Sequence, residues 1–166
     1  PLLVTWPPIM YTDYGKENFE NWVNIGGFDS IVIRPNGRVM KTLTKLSIQN
    51  LLHPFQTFIL RQKNIAPKLA SKLGINLIFY GENEAEYGNP KMSMESSQMD
   101  WDYYTFSNED EIFLGGSSLS QLRELGLKPI DWEPYMPSNP DSISKKNIEV
   151  HYLGYYEKWH PQGAYY

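Results

Sequence analysis

The segment Gly26-Gly27-Phe28-Asp29-Ser30 has the GGxDS pattern of loops whose backbone N–H groups hold pyrophosphate. Such a loop must leave a buried strand and open a helix, so that its N–H groups converge on the phosphates. Here the glycines follow a helical stretch and precede Ile31-Val32-Ile33, the reverse context, so they read as a helix stop leading into a strand. Gly81-Glu82-Asn83-Glu84-Ala85-Glu86-Tyr87-Gly88 gathers carboxylates directly after an apolar run. A carboxylate there can hold Mg²⁺, orient a hydroxyl or take a proton, and a solvated acidic loop is the plainer reading of the same residues. His53, His151 and His160 are too scattered for zinc spacing and read as structural or surface groups, so no metal ligands are assigned. Lys158-Trp159-His160-Pro161-Gln162 follows a further apolar run and reads either as part of a site or as an aromatic packing corner. No Ser-His-Asp arrangement, GxGxxG fingerprint or Walker loop is present.

The elements that must position these groups follow from the apolar pattern. Leu2-Leu3-Val4-Thr5-Trp6, closed by Pro7-Pro8, reads as a buried strand. Residues 15–25 place Phe19, Trp22 and Val23 on one helical face, and Ile31-Val32-Ile33, ended by Pro35-Asn36-Gly37, is a second strand. A helix from Val39 to about Leu52 carries Leu43, Leu46 and Leu51, and His53-Pro54 breaks it. Another runs from Phe55 to Leu73, interrupted or bent near Pro67, and ends at Gly74. Ile75–Tyr80 is a third strand. Residues 89–116 show no clear period and read as a long loop or insertion. Ser117 or Ser118 caps a helix with Leu119, Leu122 and Leu125 on one face, and a proline-rich connection leads to a fourth strand from Ile148 to Leu153.

Strand, helix, strand, helices, strand is the rhythm of an α/β fold: an open parallel sheet with helices on both faces, incomplete at its N-terminal edge and followed by an irregular, aromatic-rich second half. The expected organisation is one domain: an α/β core over 1–88, an insertion and helical connection over 89–147, and a last core strand with an aromatic segment over 148–166. The four strands are expected in one sheet, the first three parallel. Ligands bind beyond the carboxyl ends of parallel strands, so Thr5, Trp6, Glu82, Asn83 and His160 are expected at one crevice.

Composition narrows the class further. The 166 residues carry a net charge of −4 with no basic run, which disfavours nucleic acid as a partner. The absence of cysteine excludes a disulfide framework and suits a reducing cytoplasm. The apolar start is short and broken by prolines, so it reads as neither signal peptide nor membrane span. An aromatic share of 14% suits irregular packed loops or a binding cleft.

Taken together, several strings resemble one family. Leu2–Pro8, Gly27-Phe28-Asp29, Pro35-Asn36-Gly37, His53-Pro54-Phe55-Gln56, Gln62-Lys63-Asn64, Tyr80-Gly81-Glu82-Asn83, Glu86-Tyr87-Gly88, Val150-His151-Tyr152, Gly154-Tyr155-Tyr156 and Lys158–Gln162 are similar, in order, to the N-acetyl sugar amidotransferases of lipopolysaccharide and surface-glycan biosynthesis. Residues 89–147 match little. The resemblance implies an adenine nucleotide alpha-hydrolase-like domain with an ATP-pyrophosphatase reaction. The acetamido oxygen of a sugar is adenylylated, pyrophosphate leaves, and ammonia displaces AMP to give an acetamidino group. An amide oxygen leaves poorly until it becomes a phosphate ester. The implied cofactors are ATP and Mg²⁺, and the implied partners are glutaminase and cyclase-like subunits that supply ammonia.

Residue by residue, the resemblance implies cofactor binding by Val4, Thr5 and Trp6, with the backbone near Val4 and Thr5 reading an adenine edge. It implies catalytic roles for Glu82, Asn83 and His160, and substrate binding by Glu86, Tyr87, Trp159 and Gln162. The family's SGGKDS-like loop belongs before the strand that opens this chain, and the family continues beyond Tyr166. The chain alone is therefore expected neither to bind ATP tightly nor to turn over. The alternatives are a catalytically incomplete sugar-nucleotide or protein-binding module, and a different ATP-pyrophosphatase.

Overall fold

The computed structural model describes residues 1–7, 10–81, 96–158 and 160–164. In chain order the elements are β1 (Leu2–Thr5), α1 (Asp13–Asn24), β2 (Asp29–Val32), α2 (Gly37–Leu51), α3 (Gln56–Leu73), β3 (Leu77–Tyr80), β4 (Phe113–Leu114), β5 (Ser117–Ser118), α4 (Leu119–Glu124), α5 (Pro129–Trp132), α6 (Pro140–Ser144), β6 (Glu149–Tyr152) and α7 (Leu153–Tyr156). They form two compact units, one of Pro1–Ile65 with Ile112–Met136 and one of Ala66–Glu111 with Pro137–Tyr166. The protein is of mixed α/β type with small parallel sheets.

In the first unit β1 pairs parallel with β2, Leu2 opposite Asp29 and Thr5 opposite Val32. α1 forms the crossover between them. Thr12 caps it, its hydroxyl accepting from Gly15 N–H at 3.0 Å, and the helix stops before Gly27, whose φ is +65°. The expected helix stop ahead of a strand is what Gly26-Gly27 form, so these glycines do not cradle phosphate from the carboxyl end of a strand. The expected apolar face of α1 is not buried: no residue of the helix is, and Trp22 is 60% exposed. α2 begins at an Asn36 cap and buries Val39, Leu43 and Ser47, while Leu51, expected on the same face, stays exposed.

Two helix side chains hold a tight hairpin against this unit. β4 and β5 pair antiparallel through Gly115-Gly116, both at positive φ (62° and 73°), the backbone that a two-residue hairpin turn demands. Asn50 at the end of α2 donates to the Gly115 carbonyl at 2.9 Å and to Ser117 Oγ at 3.2 Å. Gln56 at the start of α3 accepts from Gly115 N–H at 2.8 Å and donates to the Phe113 carbonyl at 3.2 Å. The hairpin leads straight into α4 through a capping box of Ser118 and Gln121. Leu119 and Leu122 are buried there, but Leu125, expected on their face, is 57% exposed because it lies at the helix end.

α3 runs as one helix through Pro67 rather than breaking there. It ends at Gly74 (φ +72°), where Ile75 N–H bonds back to the Ala70 carbonyl at 3.0 Å, the six-to-one bond of a Schellman stop. In the second unit β3 pairs parallel with β6, in a register that sets Phe79 opposite His151. One face of this pair packs a core of Ala70, Met99, Tyr104, Ile143, Ile148, Val150 and Tyr152, with Ile78 and Tyr80 against it. The other face leaves Leu77 48% and Phe79 50% exposed. The free edge of β6 is extended by an antiparallel bridge to Gln98, with Met99 N–H donating to the Val150 carbonyl at 2.8 Å.

The expectation of one sheet is corrected by these pairings. Among the described residues β1–β2 and β3–β6 are separate two-stranded ladders. β1, expected to be fully buried, is half-buried along its length. Alternating apolar runs and helices specify parallel strands but not which strands are neighbours. Of the insertion expected over 89–116, the described part from residue 96 carries 3-10 turns at Trp101–Tyr103 and Glu109–Glu111 and then β4.

Two substitutions test this packing. A Cβ at Gly115 would lie 2.9 Å from the Leu43 carbonyl oxygen and 3.0 Å from Ser47 N, on a backbone that already disfavours side chains. Gly115→Ala is expected to lower the unfolding free energy by about 2 kcal/mol in urea titration, and an unchanged midpoint would rule out this turn. Tyr104 is fully buried with its hydroxyl unpartnered, and burial, helped by the Asp100 and Glu149 carboxylates, pushes its phenol up to about 12 from an ordinary 10. The folded chain thus keeps a proton that the unfolded chain loses, so stability falls as pH rises from 10 towards 12. Tyr104→Phe is expected to be near neutral at pH 7 and to abolish that part of the alkaline loss in pH-dependent unfolding.

Candidate functional site

β1 delivers Trp6 to its carboxyl end, where the indole is 6% exposed. The Arg61 guanidinium, from α3, lies 3.0 Å from the centroid of the Trp6 ring and 5.1 Å from that of Tyr135. Trp6 and Tyr135 meet edge to face at 6.2 Å. Asn64, one helical turn along α3, donates to the Tyr135 carbonyl at 3.1 Å. Arg61, Asn64 and Tyr135 are each no more than 2% exposed. Helical spacing explains why Arg61 and Asn64 face the same way, and the flat guanidinium explains why a cation is tolerated between two rings.

The electrostatics follow from burial. Desolvation lowers the Arg61 pKa, and Tyr135 and Glu133 oppose that by favouring its charged form. Burial likewise pushes the Tyr135 phenol up, against the pull of Arg61. Trp6 Nε1, Arg61 Nε and Asn64 Oδ1 are buried with no hydrogen-bond partner. Buried polar atoms are nearly always satisfied, so two donors and an acceptor left over at one strand end are groups that a polar ligand or ordered water can meet.

Of the adenine-edge residues, Val4 and Thr5 are half-buried in β1, and the Thr5 carbonyl already accepts from Ile33 N–H at 3.0 Å. Glu82, Asn83, Glu86, Tyr87 and Trp159 lie outside the described residues. His160 is exposed, its Nδ1 accepting from Gly163 N–H at 3.3 Å, and Gln162 is exposed in the 3-10 turn Pro161–Ala164. Thr5 and Trp6 belong to the first unit and His160 to the second. His53 caps the turn between α2 and α3 by accepting from Phe55 N–H at 3.1 Å, the structural role its sequence context indicates.

Sequence reasoning missed Arg61, Asn64 and Tyr135, and in the second unit it missed a hydrogen-bonded series on β6 and α7. His151 Nε2 is 3.0 Å from the Glu149 carboxylate and its Nδ1 is 2.7 Å from the Tyr156 hydroxyl. The i, i+2 spacing of Glu149 and His151 on a strand was the available signal for the first contact. Among the described residues no group of three or more His, Asp or Glu is placed to hold a metal ion. No helix among them is long and apolar enough to cross a membrane.

Compared with protein-family models and with curated proteins, the chain matches none.

The Trp6–Arg61 stack yields a stability test. Arg61→Ala removes both the buried cation and the methylene packing and is expected to cost about 3 kcal/mol in urea unfolding, whereas Arg61→Met, which keeps the volume, costs less. Equal stability of Arg61→Ala and the parent chain would show that the guanidinium is not packed on Trp6.

Proposed function

We propose that this chain is the part of an ATP-dependent N-acetyl sugar amidotransferase that follows the phosphate-binding strand and loop. The strand pairing carries this reading. In a doubly wound sheet of order 3-2-1-4-5 the first strand lies between the second and the fourth. Without it, two parallel pairs remain, the second with the third and the fourth with the fifth. β1–β2 and β3–β6 are parallel pairs with that connectivity. A phosphate-loop strand before β1 is what the family resemblance implies.

Exposure supports the same reading. Parallel strands are ordinarily covered on both faces, yet β1 is half-buried throughout and Val32 on β2 is exposed. In the complete enzyme ATP supplies the activation that turns the amide oxygen into a leaving group. The part assigned to this chain is to bind and orient: Trp6 at the nucleotide, Glu82 and Asn83 beside the amide, and Glu86, Tyr87, Trp159, His160 and Gln162 around the sugar. Glutaminase and cyclase-like subunits supply ammonia, and the setting is the cytoplasm.

A second reading is a sugar-nucleotide-binding module without catalysis. Turnover separates the two. With ATP, ammonium and UDP-N-acetylglucosamine, the 166-residue chain is expected to release no pyrophosphate, whereas a polypeptide that also carries an upstream SGGKDS-like loop releases it and yields the amidine, seen by mass spectrometry. In that polypeptide Glu82→Gln is expected to lower turnover by about a hundredfold or more with little change in unfolding midpoint. Pyrophosphate release by the 166-residue chain alone, or full activity of Glu82→Gln, would overturn this assignment.

A further inference from the structure

The exposed face of the second unit's ladder is neither a bare apolar surface nor an ordinary polar one. Phe79 on β3 and His151 on β6 stand directly opposite each other, with ring centroids 6.0 Å apart. α7 follows β6 without a linker and turns Tyr156 back over both, 5.8 Å from Phe79 and 5.9 Å from His151. Tyr155 packs on Tyr156 at 5.4 Å with the rings 74° apart. The rings thus run in one series from Tyr155 through Tyr156 to His151 and Phe79. Each neighbour fixes the next, yet Phe79, Tyr155 and Tyr156 are 50–55% exposed. Rings that are both held in place and open to solvent form a shelf.

A line of polar atoms runs along this shelf. The Glu149 carboxylate at His151 Nε2 makes that nitrogen the donor in the neutral ring, so Nδ1 is an acceptor and the Tyr156 hydroxyl donates to it. The Tyr156 oxygen then keeps its lone pairs free on the solvent side, and Glu149, 55% exposed, keeps carboxylate capacity beyond the imidazole. Covering this face with an apolar helix would strand both groups, at the cost of burying unpaired polar atoms. An occupant with an apolar face and a rim of hydroxyl and amide groups would satisfy the rings and the acceptors together. A pyranose has that form: ring C–H bonds on its faces and polar groups at its edge.

We propose that Phe79, Tyr155 and Tyr156, with Glu149 and His151 behind them, are the pyranose subsite of this protein and take the ring of an N-acetylhexosamine. The shelf runs along the solvent face of the ladder, from Glu149 at the first residue of β6 through Phe79 and His151, to Tyr155 and Tyr156 just beyond the carboxyl end of β6, the end at which open parallel sheets bind ligands. Aromatic surfaces with a few convergent polar groups are the usual lining of small-molecule sites. The hexosamine rests on the amidotransferase reading, whereas the pyranose form rests on the shelf itself. Tyr156 contacts the sugar, and Glu149 and His151 are positioning residues that set which way its hydroxyl points.

The test uses the 166-residue chain with N-acetylglucosamine, UDP-N-acetylglucosamine and UDP as separate probes. Saturation-transfer NMR is expected to mark the ring protons and acetyl methyl of N-acetylglucosamine without any nucleotide. Tyr155→Ala is expected to weaken sugar binding by about five- to tenfold, and Tyr156→Phe by about threefold, with circular dichroism and unfolding midpoint unchanged. Should Phe79→Ala fail to fold, the exposed Tyr155 and Tyr156 variants still decide. Absent saturation of the sugar, saturation confined to the uracil of UDP, or equal affinity in the parent and both tyrosine variants would each overturn the subsite. The enzyme reading fails separately. Sugar binding without turnover in the polypeptide carrying the phosphate loop supports the shelf and sinks the amidotransferase, whereas turnover with an unchanged KM for sugar in Tyr155→Ala sinks the shelf alone.

Discussion

A parallel strand pair cannot be closed by a tight turn. The chain must climb back over the sheet before the second strand begins, and that constraint organises both units. Between β3 and β6 the crossover supplies Met99, Tyr104 and Ile143, and these with Ala70 of α3 cover one face of the ladder and leave the other to Leu77, Phe79, Glu149 and His151. One face becomes core and the opposite face surface. The period of two along each strand then decides the rest: Val150 and Tyr152 point into the core, while Glu149 and His151 point out and can meet each other.

Within the first unit the corresponding tension is polar. Arg61 sits in a place that an apolar side chain could fill, with its charge held between Trp6 and Tyr135 and its Nε–H left unmet. A buried cation is poor evidence for stability, since apolar replacements of similar volume often do as well or better. It sits beside further unmet polar atoms of Trp6 and Asn64 at the end of a parallel strand, so this spot carries polar groups that the core does not satisfy. The hairpin clamped by Asn50 and Gln56 shows the opposite case, in which the polar groups are satisfied and serve to fix a turn.

The secondary structure was largely legible from local chemistry. Thr12, Asn36 and Ser118 are helix caps whose side chains accept from N–H groups of the first turn, and Gly74 ends α3 in the left-handed region. The run of Gly26-Gly27 before a strand distinguished a helix stop from a phosphate loop by context alone, and the structure has that context. Each of these features is decided within a few residues of chain, so the sequence carries it in full.

Tertiary structure alone decided which strands are neighbours and which side chains meet. Periodicity reports a face, not a partner, so the expected single sheet gave way to the ladders β1–β2 and β3–β6. Arg61 over Trp6, and Asn64 against the Tyr135 backbone, join segments remote in the chain, and no local pattern encodes such contacts. Tyr156 reaches His151 because α7 starts at the residue after β6 and bends back, a consequence of backbone geometry rather than of the spacing of the two residues. The sequence by itself determined where the main helices and strands lie, while the short elements β4, β5, α5, α6 and α7, which lack a period of their own, emerged only with the tertiary structure. Register and packing determined which faces are left exposed and which side chains meet on them, because those depend on long-range closure of the chain rather than on any residue's neighbours.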